Sequence, residues 1–233
     1  MTGLVPDFGL GRLPDPDPRD SQYPVSALAR DWGERPVRRL WWKGGWHGDQ
    51  GSTPHCVAFA FAHWSSDGPH PFSMFQHRRP GLSTTELYCE AQKRDPWPGD
   101  CDNHLYDGTS VRAGAKVLME WGLISEYRWA FTVEEVTDWL AREGTVIAGT
   151  WWYESMYYPN AEGVVGVAGQ RVGGHAYVLN GVDFETERVR FKNSWGRRWG
   201  LDGHAFMSFA VLRHLIAWSG DMCIPIAEEG TVL

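Results

Sequence analysis

The sequence predicts an α+β fold, with helices in its first half and an antiparallel sheet in its second. Helix-start signals and helical apolar spacing fall before about residue 144, whereas runs rich in β-branched and aromatic residues fall after it. No internal repeat is visible. With 233 residues, 42% of them apolar and 14 of them tryptophan, the chain can bury a substantial core as one large domain or two small lobes.

Along the chain, Pro6 to Arg19 reads as an irregular arm. Prolines at 14, 16 and 18 alternate with aspartates and prevent a regular helix, so the arm is expected to lie along the surface. After Trp41, Trp42 and Trp46, glycines 44, 45, 48 and 51 interrupt any regular element before Cys56. Cys56 to Trp64 then carries three alanines and no helix breaker, which suits a buried helix starting near the cysteine. Its alternation of Ala with Phe suits a strand equally, so periodicity alone leaves both open.

Two capping boxes follow, Ser83-Thr84-Thr85-Glu86 and Thr132-Val133-Glu134-Glu135, each predicting a helix start. Between them Val111, Ala115, Leu118 and Met119 keep helical spacing up to a stop at Gly122. Thr145 to Tyr153, His175 to Val182 and Arg188 to Lys192 have strand composition. A turn at Phe184 to Glu187 joins the last two into a hairpin, with His175 near its start and Asn193 at its end.

A formal charge of −7 gives no broad basic surface, which points away from nucleic acid as a general partner. No run approaches the roughly 20 apolar residues of a membrane-spanning helix, and the first 25 residues carry no signal-peptide core. The expected location is therefore the cytoplasm or a particle, without a membrane. Cysteines 56, 89, 101 and 223 are too few for a disulfide-stapled scaffold. Whether Cys89 and Cys101 bridge a loop stays open, because spacing does not fix their distance. No Cys-x-x-Cys, His-Glu-x-x-His or zinc-finger spacing is present, so no metal or other cofactor is expected.

One set of residues fits thiol chemistry. A helix N-terminus and a neighbouring imidazolium favour a thiolate, and a third group must hold the imidazole in the correct tautomer. Cys56 sits at a predicted helix start, and His175 and Asn193, 18 residues apart, lie on the two arms of one hairpin. Attack on a carbonyl also creates an oxyanion that needs preorganised donors. Gln50, six residues before Cys56, can supply an amide N–H beside the backbone N–H of Cys56.

In these segments the sequence resembles the papain family of cysteine peptidases. The resemblance rests on Asp49-Gln50-Gly51 with Cys56-Val57-Ala58-Phe59-Ala60, on Leu82-Ser83-Thr84-Thr85-Glu86-Leu87, and on Gly174-His175-Ala176. It is most specific in Lys192-Asn193-Ser194-Trp195-Gly196 with Trp199-Gly200 and Asp202-Gly203-His204. Spanning roughly residues 40 to 225, it implies a two-lobed fold with a helical N-terminal lobe, an antiparallel sheet or barrel C-terminal lobe, and the active site in the cleft between them. The implied organisation is an arm over 1–39 and a catalytic domain over 40–233, its helical lobe at about 50–130 and its sheet lobe at about 131–225.

By the same resemblance Cys56, His175, Asn193 and Gln50 are the catalytic residues, and Trp195 packs over the His175 and Asn193 pair. Gly108 is implied to bind substrate backbone. Asp221, a solvated aspartate when read alone, is matched to the floor of the second substrate pocket, where it would prefer a basic side chain. The implied activity is an endopeptidase acting on peptides or proteins through an acyl-enzyme. Acyl transfer or deamidation by the same triad, and a silent binding or assembly module with a regulatory or assembly partner, are the alternatives.

Departures from the family cluster at the nucleophile, where Thr53-Pro54-His55-Cys56-Val57 stands in place of Cys-Gly-[Ser/Ala]-Cys-[Trp/Tyr]. His55 either adds a titrating group or points to solvent. No long amphipathic pro-segment pattern precedes the domain, so control is expected from compartment, a partner, or the arm lying near the cleft.

Overall fold

A computed structural model describes residues 7–28, 37–69, 83–99, 101 and 106–227. Leu82 and the histidines at 70, 77 and 104 lie outside them. The helices are α1 (Cys56–Ser66), α2 (Thr84–Gln92), α3 (Val111–Glu120), α4 (Val133–Leu140) and α5 (Phe209–Ala217). The strands are β1 (Arg39–Trp41), β2 (Ile124–Trp129), β3 (Val146–Tyr153), β4 (Arg171–Asp183), β5 (Arg188–Lys192), β6 (His204–Ser208) and β7 (Asp221–Ala227). They form one antiparallel sheet in the order β2-β7-β3-β4-β5-β6, with β1 added to the far end of β4.

The sheet separates two cores. On one side Ile147, Ala176, Val178 and Cys223 pack with Cys56, Val57 and Phe61 of α1, Leu87 of α2 and Val117 of α3. On the other, Ala148, Trp152, Tyr177, Leu179 and Phe191 pack with Val136 and Leu140 of α4 and Leu212 and Leu215 of α5. The period-2 alternation of β4 divides Ala176 and Val178 from Tyr177 and Leu179. Helix α1 is buried nearly all round, from Cys56 to His63. That explains why its Ala/Phe pattern has no amphipathic face to read.

Helix starts follow their caps. Ser83 Oγ accepts from the Glu86 N–H at 3.1 Å, and Thr132 and Glu135 complete a reciprocal capping box. Two strands precede the region whose composition suggests a sheet, β1 against the far end of β4 and β2 at the edge against β7. Cys89 and Cys101 are bonded, with their Cα atoms 5.2 Å apart.

Candidate active site

Cys56 is the first residue of α1, directly after the N-cap position His55. The loop before it is held against the sheet. The Gln50 N–H donates to Ser194 O at 2.7 Å, Asp49 bridges to Trp195, and the Thr53 N–H closes a turn onto Gln50 O at 3.1 Å. The far end of α1 is fixed by Asp67, whose carboxylate accepts from Gly45 N, Asn180 Nδ2 and Lys192 Nζ at 3.0, 3.0 and 2.7 Å. Helix, loop and strands therefore hold the cysteine in one position.

His175 on β4 and Asn193 just beyond β5 meet side chain to side chain. His175 Nε2 lies 2.7 Å from Asn193 Oδ1, which also accepts the Ser194 N–H at 2.7 Å. An oxygen acceptor at Nε2 selects the tautomer protonated there and leaves Nδ1 as the basic nitrogen. Nδ1 is buried and has no hydrogen-bond partner among the described residues. Trp195 stacks on the imidazole at 4.6 Å between ring centroids, and the edge of Trp152 closes the other approach at 4.9 Å. This aromatic wall keeps water from the His175–Asn193 bond.

Gln50 is clamped at both ends of its amide. Its Oε1 accepts from Ser194 Oγ, and its Nε2 donates to Thr53 O at 2.6 Å and Gly9 O at 3.2 Å. The second donation aims an amide N–H at a peptide carbonyl.

That carbonyl belongs to the N-terminal arm, whose Pro14–Arg19 stretch lies along the surface as expected but whose Gly9 and Arg12 are buried. Residues 8 to 13 pass through the site. Phe8 stacks on Trp195 at 4.7 Å, and Gly9 O accepts from Trp195 Nε1 at 3.0 Å. Backbone bonds then run from Gly9 N to Gly51 O (2.8 Å), from Gly11 N and Arg12 N to Gly174 O (3.0 Å each) and from Leu13 N to Thr109 O (2.9 Å). The Thr109 N–H returns one to Gly11 O at 2.9 Å. A Cβ on Gly9 would lie 2.0 Å from Thr53 O, and one on Gly11 2.2 Å from Pro54 O. Only glycine allows so close an approach.

Cys56 and His175 are both sealed from water. Burial pushes the Cys56 thiol up to about 12, against the backbone N–H groups of Ala176 and Val57. Burial likewise holds His175 down to about 4, opposed by its bond to Asn193. Burial thus favours the uncharged form of each.

No family model matches the chain, and no curated protein does. Solved structures do. Xylellain, a cysteine protease from Xylella fastidiosa, superposes with a TM-score of 0.69 over 98% of this chain and 99% of its own, at 19% identity. The chain has the papain-like fold. A procathepsin L2 proteinase of Tenebrio molitor larval midgut gives 0.65 over 97% of this chain and 80% of that one, at 16% identity. A stem bromelain precursor gives 0.55 over 96% and 78%, at 15% identity.

Within this papain-like fold the remaining predicted residues fall as follows. Gly108, at φ +110°, faces the arm, and a Cβ there would lie 2.4 Å from Gly11 O. Asp221 begins β7 and pairs with Arg12. His55 does not point to open solvent; its ring lies 4.2 Å from that of Tyr88. Sequence reasoning missed the parts played by Gly9, Arg12, Ser194 and Asp67. The available signal was Gly-Leu-Gly inside an otherwise Pro/Asp-rich arm, a spacing that permits close backbone approach. Among the described residues no group of three or more His, Cys, Asp or Glu is placed to hold a metal ion, and no helix is long and apolar enough to cross a membrane.

Proposed function

We propose that the chain is a thiol-dependent endopeptidase acting through Cys56, His175, Asn193 and Gln50. One observation carries the reading. The cleft already grips a peptide backbone, and that backbone places its Gly9 carbonyl under the Gln50 amide.

Once the arm leaves, water reaches the cleft and the thiol proton passes to His175 Nδ1, giving a thiolate beside an imidazolium. Sulfur bonds to the substrate carbonyl carbon, and the oxyanion is held by Gln50 Nε2–H and the Cys56 N–H. The C–N bond breaks as Nδ1–H protonates the leaving amine. Water, deprotonated by His175, then cleaves the thioester and releases a carboxylate. Asn193 keeps the ring oriented throughout, and Trp195 shields that bond. On this reading the docked arm makes the resting protein latent.

The filled cleft also supports a second reading, a papain-like assembly module with no turnover. A mechanism-based epoxide of the kind that alkylates papain-like thiols, followed by mass mapping, separates the two. With the full-length Arg12→Ala chain, whose arm has lost its anchoring side chain, the expected result is an adduct on Cys56. Peptide hydrolysis should disappear in Cys56→Ala. No adduct and no hydrolysis would favour the assembly module.

A further inference from the structure

We infer that Tyr88 and Gln92 are positioning residues of the cleft, holding Gly108 and Thr109 in place to grip the main chain of a polypeptide in fixed relation to Cys56. The inference rests on the peptidase reading and adds how its substrates are held. Thr109 turns both of its backbone groups to the arm, its N–H donating to Gly11 O and its carbonyl accepting from Leu13 N, at 2.9 Å each. Gly108 is tied from behind. Its N–H donates to Tyr88 Oη at 2.9 Å, and its carbonyl accepts from Gln92 Nε2 at 3.1 Å.

Tyr88 and Gln92 stand four residues apart on α2, so they share one face of the helix, and both are buried. Gln92 Nε2 also donates to Tyr88 Oη at 2.8 Å, which fixes the phenol under the Gly108 N–H. Gln92 Oε1 has no hydrogen-bond partner among the described residues. A buried acceptor left alone is destabilising, so packing does not account for this amide, whereas the donation to Gly108 does. Thr109 is tied separately. Its Oγ1 donates to Asp95 Oδ2 at 2.7 Å, and Asp95 Oδ1 accepts from Tyr106 Oη at 2.7 Å and from the Trp97 N–H at 3.2 Å.

Gly108, at φ +110°, has the conformational freedom of glycine, and the two bonds from α2 select one conformation. Tyr88 reaches the nucleophile as well. Its ring lies 4.2 Å from that of His55, the residue before Cys56. One side chain therefore touches both the segment that grips main chain and the turn that presents the sulfur. Without the phenol oxygen the Gly108 N–H is buried and unpaired, and Thr109 shifts as its neighbour relaxes. Bonds made elsewhere along the cleft, such as that from Gly9 N to Gly51 O, are untouched.

Two measurements on full-length protein test this. Fluorescein-labelled peptides with the sequence of residues 7–15 are titrated against Cys56→Ala/Arg12→Ala, with and without Tyr88→Phe. An ester in place of the amide between Arg12 and Leu13 deletes the N–H that Thr109 O accepts. It should weaken binding about tenfold when Tyr88 is present and less than about twofold with Tyr88→Phe. An ester between Phe8 and Gly9, which deletes the donor to Gly51 O, should lose the same factor in both chains. Gln92→Met should shift the first comparison in the same direction as Tyr88→Phe. For turnover, adding Tyr88→Phe to Arg12→Ala should raise KM for a hexapeptide about tenfold with kcat nearly unchanged. Hydrolysis of p-nitrophenyl acetate, too small to reach Thr109, should stay the same. An Arg12–Leu13 ester that loses the same factor in both chains, an equal change for both esters, or a parallel fall for hexapeptide and acetate overturns the inference and leaves the peptidase reading intact. The expected difference between the esters, without hydrolysis of either substrate, supports the positioning role and overturns the peptidase reading.

Discussion

Lys192 Nζ lies 2.7 Å from Asp67 Oδ1, and both side chains are sealed from water. The bond joins the C-terminal end of α1, whose first residue is Cys56, to the strand that leads into Asn193. It sets the position of α1 relative to the asparagine that holds the imidazole. Lys192 also donates to Trp46 O at 2.6 Å, so the ammonium is satisfied within the protein.

Removing one member of such a pair strands a buried charge. Lys192→Met is expected to lower unfolding free energy by about 3–5 kcal/mol in urea titrations. The double variant with Asp67→Leu should recover part of that loss, and an equal or larger loss would show that the pair is not the cause.

Asn193 accepts from His175 and favours its protonated form. Asn193→Ala is expected to reduce kcat by roughly 100-fold while circular dichroism stays unchanged. The alkaline limb of the pH–rate profile, where His175 loses its proton, should move to lower pH. A limb that stays in place would assign Asn193 a packing role only.

Gly11 leaves no room for a side chain against Pro54 O. Gly11→Val is therefore expected to push the arm out of the cleft and expose Cys56. Iodoacetamide labelling of Cys56 should accelerate about tenfold for each unit by which its thiol falls from its buried value. Cys223, buried among β7 and its neighbours, serves as the internal control and should keep its rate.

Burial holds His63 well below its ordinary value and His47 at about 4, with the positive charge of Lys192 adding to both. In the unfolded chain each takes up a proton near pH 6.5. Between about pH 6.5 and 4 the unfolded state therefore binds more protons, and stability declines as pH falls through that window. Above it these histidines contribute no pH dependence. Tm measured at pH 7.5, 6 and 5 should fall steadily, and a flat profile would contradict the assignment.

The Cys89–Cys101 bond closes a loop of 12 residues' separation beside α2. Loop-closure entropy puts its contribution at about 3 kcal/mol. Cys101→Ser should lower stability by that order without altering Cys56 labelling.

How much of this was legible in the sequence depended on the range of the interactions. Ser83 and Thr132 announced their helices because a cap is satisfied within four residues. The hairpin carrying His175 and Asn193 was legible from composition and one turn, and their contact followed from it. Helix α5 is capped by Ser208 with Val211, not a glutamate, three residues on, and β2 pairs with β7 about 100 residues away, so neither had a local signal. The burial of Gly9 and Arg12 was not legible because the arm's partners, Gly51, Thr109 and Gly174, lie about 40 to 160 residues away. Proline and aspartate predicted its irregularity correctly but said nothing about where it docks. The unusual Thr53-Pro54 pair likewise gained meaning only when its carbonyls were found against Gly9 and Gly11.

The occupant of the cleft is part of the same molecule. Its hold on the site is therefore a first-order equilibrium, unaffected by dilution. A polypeptide competing for the cleft contends with the arm's tether as well as with its intrinsic fit. The fraction of molecules with the arm seated is thus set within each chain and not by how much protein is present.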